Sequence, residues 1–349
     1  MLAQLFDTHK IFENMKTIIK TTGLVACLLA ACFYANAGQN MKVAATWPVS
    51  GNGRYDYLAL SKSGKLYVSH GDQVNVLDTR TGKETGVIEG LSGVHGIAFD
   101  YEHNKGFISN GAADNVSVFD LKTDKVTNTI ATDKNPDFIF YEPFTENIVT
   151  CNGKGQNLSF IDPETEKVIR TVSLDGAKPE TAVSDGKGSL FVNLENKNAI
   201  AQVDLKSFEV VKTISLAPVG EAPTGLAIDL KNKLLFSGCG DNKTLVVVDY
   251  EKGTIVNTYP IGEDCDAVTY NPNTGTVFAS CSDGTLTILK RSGNTFTVNT
   301  VVTKKGARTM ALDTKTNTVY LSAPDFGSTK DANGRSPILP DSFKVLVVK

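Results

Sequence analysis

The sequence predicts an all-β chain closed into a seven-bladed propeller, and three observations carry that prediction. An apolar strand ending in aspartate recurs at a regular interval, each copy is flanked by a hairpin before and a further strand after, and no amphipathic helix of useful length follows the N-terminal leader. The recurring strands are Val74 to Asp78, Val116 to Asp120, Leu158 to Asp162, Ile200 to Asp204 and Leu245 to Asp249, with aspartates 42, 42, 42 and 45 residues apart. Two later copies, Leu286 to Leu289 and Phe343 to Val348, run into Lys290 and Lys349 instead. Four short strands per repeat at this period are the pattern of a propeller blade, each an antiparallel sheet.

The hairpin is clearest where Leu226 to Asp229 turns at Lys231-Asn232 into Leu234 to Ser237, and the outer strand where Lys167 to Val172 alternates polar and apolar residues. Seven such hairpins begin near Asp56, His95, Asp137, Glu180, Thr224, Asp266 and Arg308. The seventh repeat is one strand short at its C-terminal end. Residues 42–49, which begin Lys42-Val43-Ala44-Ala45-Thr46-Trp47, match the outer-strand pattern, so they are expected to pair with residues 343–348 and close the ring. Closure removes the exposed sheet edges that would otherwise invite association, which favours a monomer. Residues 42–349 divide evenly into seven blades of 44.

Several second strands, Leu66-Tyr67-Val68-Ser69-His70, Leu190-Phe191-Val192-Asn193 and Val319-Tyr320-Leu321-Ser322, resemble the YVTN repeat. With Phe236 to Cys239, Gly262 to Ala267 and Gly306 to Asp313, they make the chain from Lys42 to Lys349 similar to the YncE-like family of exported bacterial β-propellers. That resemblance implies the fold and export. It supplies no catalytic motif.

The segment before the blades reads as a leader, residues 1–37. Met15-Lys16-Thr17-Ile18-Ile19-Lys20 is a basic start, Gly23 to Ala35 an apolar stretch too short to span a bilayer, and Ala35-Asn36-Ala37 a small-residue cleavage site. The signal peptide proper is therefore 15–37, and residues 1–14, which carry Asp7 and Glu13, read as a mis-assigned start. Leu29-Ala30-Ala31-Cys32 also fits a lipobox, in which case Cys32 is lipidated and the protein is tethered to a membrane. Either route puts the folded part in the periplasm or outside the cell, where disulfides are permitted.

A formal charge of −3 and a pI near 5.9 leave no basic excess to neutralise duplex nucleic acid. In a propeller the loops before each first strand and after each second strand share one face around the axis. The first-strand starts place Asp56, His95, Asp137, Glu180, Thr224, Asp266 and Arg308 there, and the second-strand ends His70, Asn110, Cys151, Leu194, Cys239, Cys281 and Ala323. Asp56, His70, His95, Asp137, Glu180, Asp266 and Arg308 are thus the candidate ligand-binding residues of a funnel. Asp56, Asp137, Glu180 and Asp266 offer oxygen ligands for a divalent cation, and His95 a nitrogen. The competing reading is a water-filled mouth in which Arg308 neutralises nearby acids.

Counting from the turn at Asn273-Thr274 pairs Asp266 with Cys281 and sends Cys265 to the opposite face. Cys239 on blade 5 would then face Cys265 on blade 6 and form a disulfide between blades. The connection from Pro324-Asp325-Phe326-Gly327 through Pro340-Asp341 is much longer than its counterparts and emerges beside the funnel, as a lid, a partner-binding arm or a surface insertion.

No G-x-S-x-G elbow, H-E-x-x-H, P-loop, dinucleotide or C-x-x-C-H signature is present. The sequence therefore favours a non-enzymatic exported propeller offering its funnel to a small-molecule or protein partner, with no organic cofactor. One rival is a lactonase-type hydrolase with a channel cation that polarises a carbonyl and activates water. Another is a single-stranded nucleic-acid binder using Lys304, Lys305 and Arg308 beside Tyr55 and Tyr57.

Overall fold

The computed structural model describes residues 41–330 and 336–349. The leader and its alternative lipid attachment at Cys32 lie outside them. Among the described residues no helix is long and apolar enough to cross a membrane, and one 3₁₀ turn, Glu195–Lys197, interrupts the strands.

Seven four-stranded antiparallel sheets form the ring. Their innermost strands are Tyr55–Leu60, Val94–Asp100, Pro136–Glu142, Pro179–Ser184, Pro223–Asp229, Cys265–Asn271 and Met310–Asp313, which begin blades 1 to 7. Blade 7 is completed from both ends of the ring: Val43–Pro48 pairs with Lys344–Val348, with Thr46 opposite Leu346 and Trp47 opposite Val345. Lys42 and Lys349 also exchange backbone hydrogen bonds of 2.8 and 3.0 Å. The predicted closure is the observed one.

The repeated aspartates have a local purpose. In Asp78, Asp120, Asp162 and Asp249 a carboxylate oxygen accepts backbone N–H groups two or three residues on, while the main-chain carbonyl accepts from the residue four on, at 2.7 to 2.9 Å. That fourth residue has positive φ and is Gly82, Asp124, Glu166 or Gly253. At Gly82 a second constraint applies, because a Cβ there would lie 2.3 Å from Trp47 Nε1 in the closing strand.

The core lies between blades, since both faces of each sheet are covered by neighbours. Side chains alternate along the second strand. The third residue, aromatic at Tyr67, Phe107, Phe191, Phe236, Phe278 and Tyr320, faces the following blade, and the second, fourth and sixth face the preceding one. Leu235 and Cys239 of blade 5 therefore join the cluster shared with blade 4, whereas Phe236 joins that shared with blade 6.

Each first strand from blade 1 to blade 6 carries a register shift directly after its first pair: Tyr55/Leu58, Val94/Ile97, Pro136/Ile139, Pro179/Ala182, Pro223/Leu226 and Cys265/Ala267. This bulge was not in the sequence-based register, and it changes which residues oppose each other. His70 pairs with Tyr55, and Cys281 with Cys265 instead of Asp266. In blade 3 the strand end is Asn152, one residue beyond Cys151.

Two measurements follow. Gly82→Ala should cost about 1–3 kcal/mol through backbone strain and the contact with Trp47, and should red-shift the emission of Trp47, the single tryptophan. Wild-type denaturation and emission would refute the role given to that contact. The second concerns Asp229, which is 1% exposed and accepts from Arg291 Nη2 at 2.7 Å, Tyr270 Oη at 2.9 Å and Asn232 Nδ2 at 2.6 Å. Burial alone would raise its pKa, but these bonds, with Arg291, hold it below the ordinary carboxylate value. Its stabilising contribution is therefore present above the unfolded value of about 3.9 and is lost as pH falls through the depressed one. Asp229→Asn should lower stability near neutral pH by about 1–3 kcal/mol and flatten the acid limb of a melting-temperature profile.

Candidate functional site

A bulge re-aims a side chain out of the normal alternation, and here it delivers the predicted first ring to the axis. Asp56, His95, Asp137, Glu180, Thr224 and Asp266 each follow the first paired residue of their blade, and Arg308 lies just before the inner strand of blade 7. Five of these form one charged network. His95 Nδ1 lies 2.5 Å from Asp56 Oδ2 and 3.4 Å from Asp137 Oδ1. Arg308 bonds Asp266 through Nη1, reaches Asp56 Oδ1 at 3.7 Å through Nη2, and donates to the Tyr55 carbonyl at 3.2 Å.

Glu180 stands slightly apart, held by Lys178 at 2.6 Å, which also bonds Glu195. Lys178 was not found from the sequence. Its only signal was its place in Ala177-Lys178-Pro179-Glu180, two residues before the inward-pointing acid, a position held by Arg54 in blade 1 and Asp264 in blade 6. Thr224 donates its hydroxyl to the Cys265 carbonyl of the next blade.

Burial dominates the protonation of this ring. It pushes the Asp137 carboxyl up to about 6, reinforced by the charge of Asp56 and opposed by His95. Glu180 rises well above the ordinary range, from burial first and Asp137 second, against the pull of Lys178. Asp266 is raised by burial even though Arg308 opposes it. Burial would lower His95, but its bond to Asp56 and the charges of Asp137 and Asp56 outweigh it and hold the imidazole above its usual value.

Among the described residues, Asp56, His95 and Asp137 are the group whose ligand atoms all lie within 4.8 Å of one another. A divalent cation held there would take one oxygen from each acid and a nitrogen from His95. The imidazole would then have to give up the proton that its two carboxylate neighbours favour. Glu180 and Asp266, the other metal candidates, are engaged by Lys178 and Arg308.

The predicted second ring does not reach the mouth. His70 is 1% exposed, stacks on Phe343 with ring centroids 4.1 Å apart, and places Nδ1 3.1 Å from the Ser50 carbonyl. As the sixth residue of its strand it faces blade 7, as Cys239 faces blade 4. This corrects the disulfide as well. Cys239 and Cys265 are free thiols, as are Cys151 and Cys281, because the blade 5 sheet lies between the side chains of Cys239 and Cys265. Most of the basic and aromatic residues of the nucleic-acid alternative are engaged within the chain: Lys304 pairs with Asp325, Arg308 pairs with Asp266 and lies over the Tyr55 ring, Tyr55 Oη donates to the Gly306 carbonyl at 2.7 Å, and Tyr57 packs edge-on against Phe138.

Two cavities meet the axis. An apolar channel of about 340 Å³ is lined by inner-strand residues of all seven blades, among them Tyr57, Phe138 and Met310. A funnel of about 1060 Å³ includes Arg308 and Asp266 and is walled on one side by Phe326, Ile338 and Leu339 from the long connection of blade 7. That connection is tied down: Phe326 and Ile338 form a β-bridge, Gly327 N–H donates to the Pro337 carbonyl at 2.8 Å, and Asp325 pairs with Lys304 and, at 2.7 Å, with Lys344.

The fold and the mouth together define a seven-bladed propeller with an ion-paired axial ring beneath an open funnel. Residues 98–269 match the family model described as a YNCE-like beta-propeller, and the seven-bladed ring around them has the fold that this similarity implies. No curated protein matches the chain.

The ion-pair ring makes a stability prediction. Arg308→Leu leaves Asp266 and Asp56 without their guanidinium and should cost about 3–5 kcal/mol. The double change Arg308→Leu with Asp266→Leu should recover much of that loss in chemical denaturation. Equal stability of the single variant and the wild type would show that the pair is idle.

Proposed function

We propose that this chain is an exported binding protein whose funnel takes a small anionic amphiphile. The volume of about 1060 Å³ carries the reading, being near the upper end of the roughly 300–1,000 Å³ usual for small-molecule sites. Its lining supports the ligand class. Phe326, Ile338 and Leu339 supply an apolar wall, and Arg54 and Lys305, which make no ion pair among the described residues, line the same funnel. The leader motif over 15–37 supports export.

Binding is favoured over hydrolysis because the axial acids are already neutralised by His95, Arg308 and Lys178. A general base or an open metal position would need one of these pairs to be given up.

Anilinonaphthalene sulfonate, an anionic amphiphile whose fluorescence rises in apolar surroundings, tests the reading directly. The folded chain should bind it saturably with one site, and Phe326→Ala combined with Lys305→Glu should weaken binding at least about tenfold, equivalent to about 1.4 kcal/mol. Absence of saturable binding, or binding indifferent to both substitutions, would sink the proposal.

A further inference from the structure

We propose that Cys265 and Cys281 are a dithiol site that closes to a cross-strand disulfide inside blade 6. The two residues are directly opposed in the antiparallel pairing of strands Cys265–Asn271 and Thr276–Cys281. Opposed residues in such a ladder have Cα atoms about 4.5–5.5 Å apart, within the range of about 4.4–6.8 Å found in disulfides. Both side chains lie on the same face of the sheet, in the cluster between blades 5 and 6. The bulge creates this arrangement, because it sets Cys265 opposite Cys281 and turns Asp266 to the axis.

The two sulfurs differ in access. Cys281 is fully buried, whereas Cys265 is 2% exposed and lines the funnel. Cys265 is therefore the point of entry for an oxidant of the small-disulfide class, such as oxidised glutathione. Its thiolate attacks one sulfur of the donor, the donor bond breaks and the first glutathione leaves as a thiol. Cys281, losing its proton, then attacks Cys265 of the mixed disulfide and expels the second glutathione. Two electrons pass from the cysteine sulfurs to the donor, and two protein S–H bonds become one S–S bond. A hydrogen bond to Cys281, together with burial, holds Cys265 well above the usual thiol range, so exchange in the folded chain should accelerate with alkalinity.

The bond would staple the inner hairpin of blade 6 at its funnel end, one residue from the Asp266 that grips Arg308. It lies within a single blade, unlike the inter-blade bond expected from the sequence.

The test treats the full chain with oxidised glutathione, both folded and during refolding from denaturant, followed by alkylation and non-reducing peptide mapping. The expected product is a linked peptide pair carrying Cys265 and Cys281, two hydrogens lighter than the reduced pair, with a higher melting temperature than the reduced chain. Cys281→Ser should instead accumulate one glutathione on Cys265, Cys265→Ser should take none at Cys281 in the folded state, and Cys239→Ser should leave the product unchanged. Recovery of Cys265 and Cys281 as free thiols from both treatments, or a bond from either to Cys239 or Cys151, would overturn the proposal.

Discussion

The structure depends on how the backbone groups freed by the inner-strand bulges find partners. A bulge removes ladder hydrogen bonds where the chain is buried, and an unpaired peptide group there costs about 1–3 kcal/mol. The fifth residue of the second strand meets much of this demand. Ser69 accepts the Asp56 N–H at 3.0 Å, and Ser109 accepts from Gly96 while donating to the Asp137 carbonyl of blade 3 at 2.7 Å. Asn193 donates to the Thr224 and Gly225 carbonyls of blade 5, Ser280 to the Arg308 carbonyl, and Ser322 with Thr309 to the Asp56 carbonyl across the ring junction. All six of these side chains are fully buried. Ser69 acts within its own blade, and the others tie blades 2 to 3, 4 to 5, 6 to 7 and 7 to 1 at the point where the chain leaves regular pairing.

The same bulges set the electrostatics of the axis. Because the residue after each first pair points inward, its polarity is decided by the channel, and four acids end up within one narrow mouth. Four ionised carboxylates could not share that space unaided, since burial and mutual repulsion raise Asp137, Glu180 and Asp266 together. Arg308, His95 and Lys178 relieve the repulsion from three different blades. The ring thereby becomes a set of ion pairs, between blades at His95 and Arg308 and within blade 4 at Lys178, and the funnel above it, tied by Asp325 to Lys304 and Lys344, is left as the larger open space.

The blade period, the seven-fold count and the ring closure were legible in the sequence because they rest on alternation and spacing, which a twisted four-stranded sheet preserves residue by residue. The inward ring of Asp56, His95, Asp137, Glu180 and Asp266 was legible for the same reason. Opposing residues were not. A register counted from the turn assumes an unbroken ladder, and a single bulge moves every pair beyond it, which misplaced His70 and reversed the relation between Cys265 and Cys281. The serines of the belt were visible within the repeat motif, but their role depends on the bulge and so could not be read before it. Lys178 sits in the loop before a first strand, where the residue type changes from blade to blade and spacing alone assigns it no partner.

Two blades depart from the belt, and the departures explain where sulfur is placed. Blade 3 has Cys151 at the fifth position and blade 5 has Gly238. At Gly238 a Cβ would lie 2.6 Å from the sulfur of Cys265, so the missing side chain is the space that Cys265 occupies. The joint between blades 5 and 6 thus exchanges a polar bridge through the second strand for sulfur packing, while Thr224 takes over the hydrogen bond by donating to the Cys265 carbonyl. The joint keeps directional bonds through Thr224 and through Asp229, which accepts from Tyr270 and Arg291 of blade 6, while sulfur fills the place of the belt side chain. The opposed Cys281 is the one group placed to hold Cys265 covalently, so oxidation would add a bond at the funnel end of a joint whose buried ion pair, Asp229 with Arg291, lies at the other end of the strands.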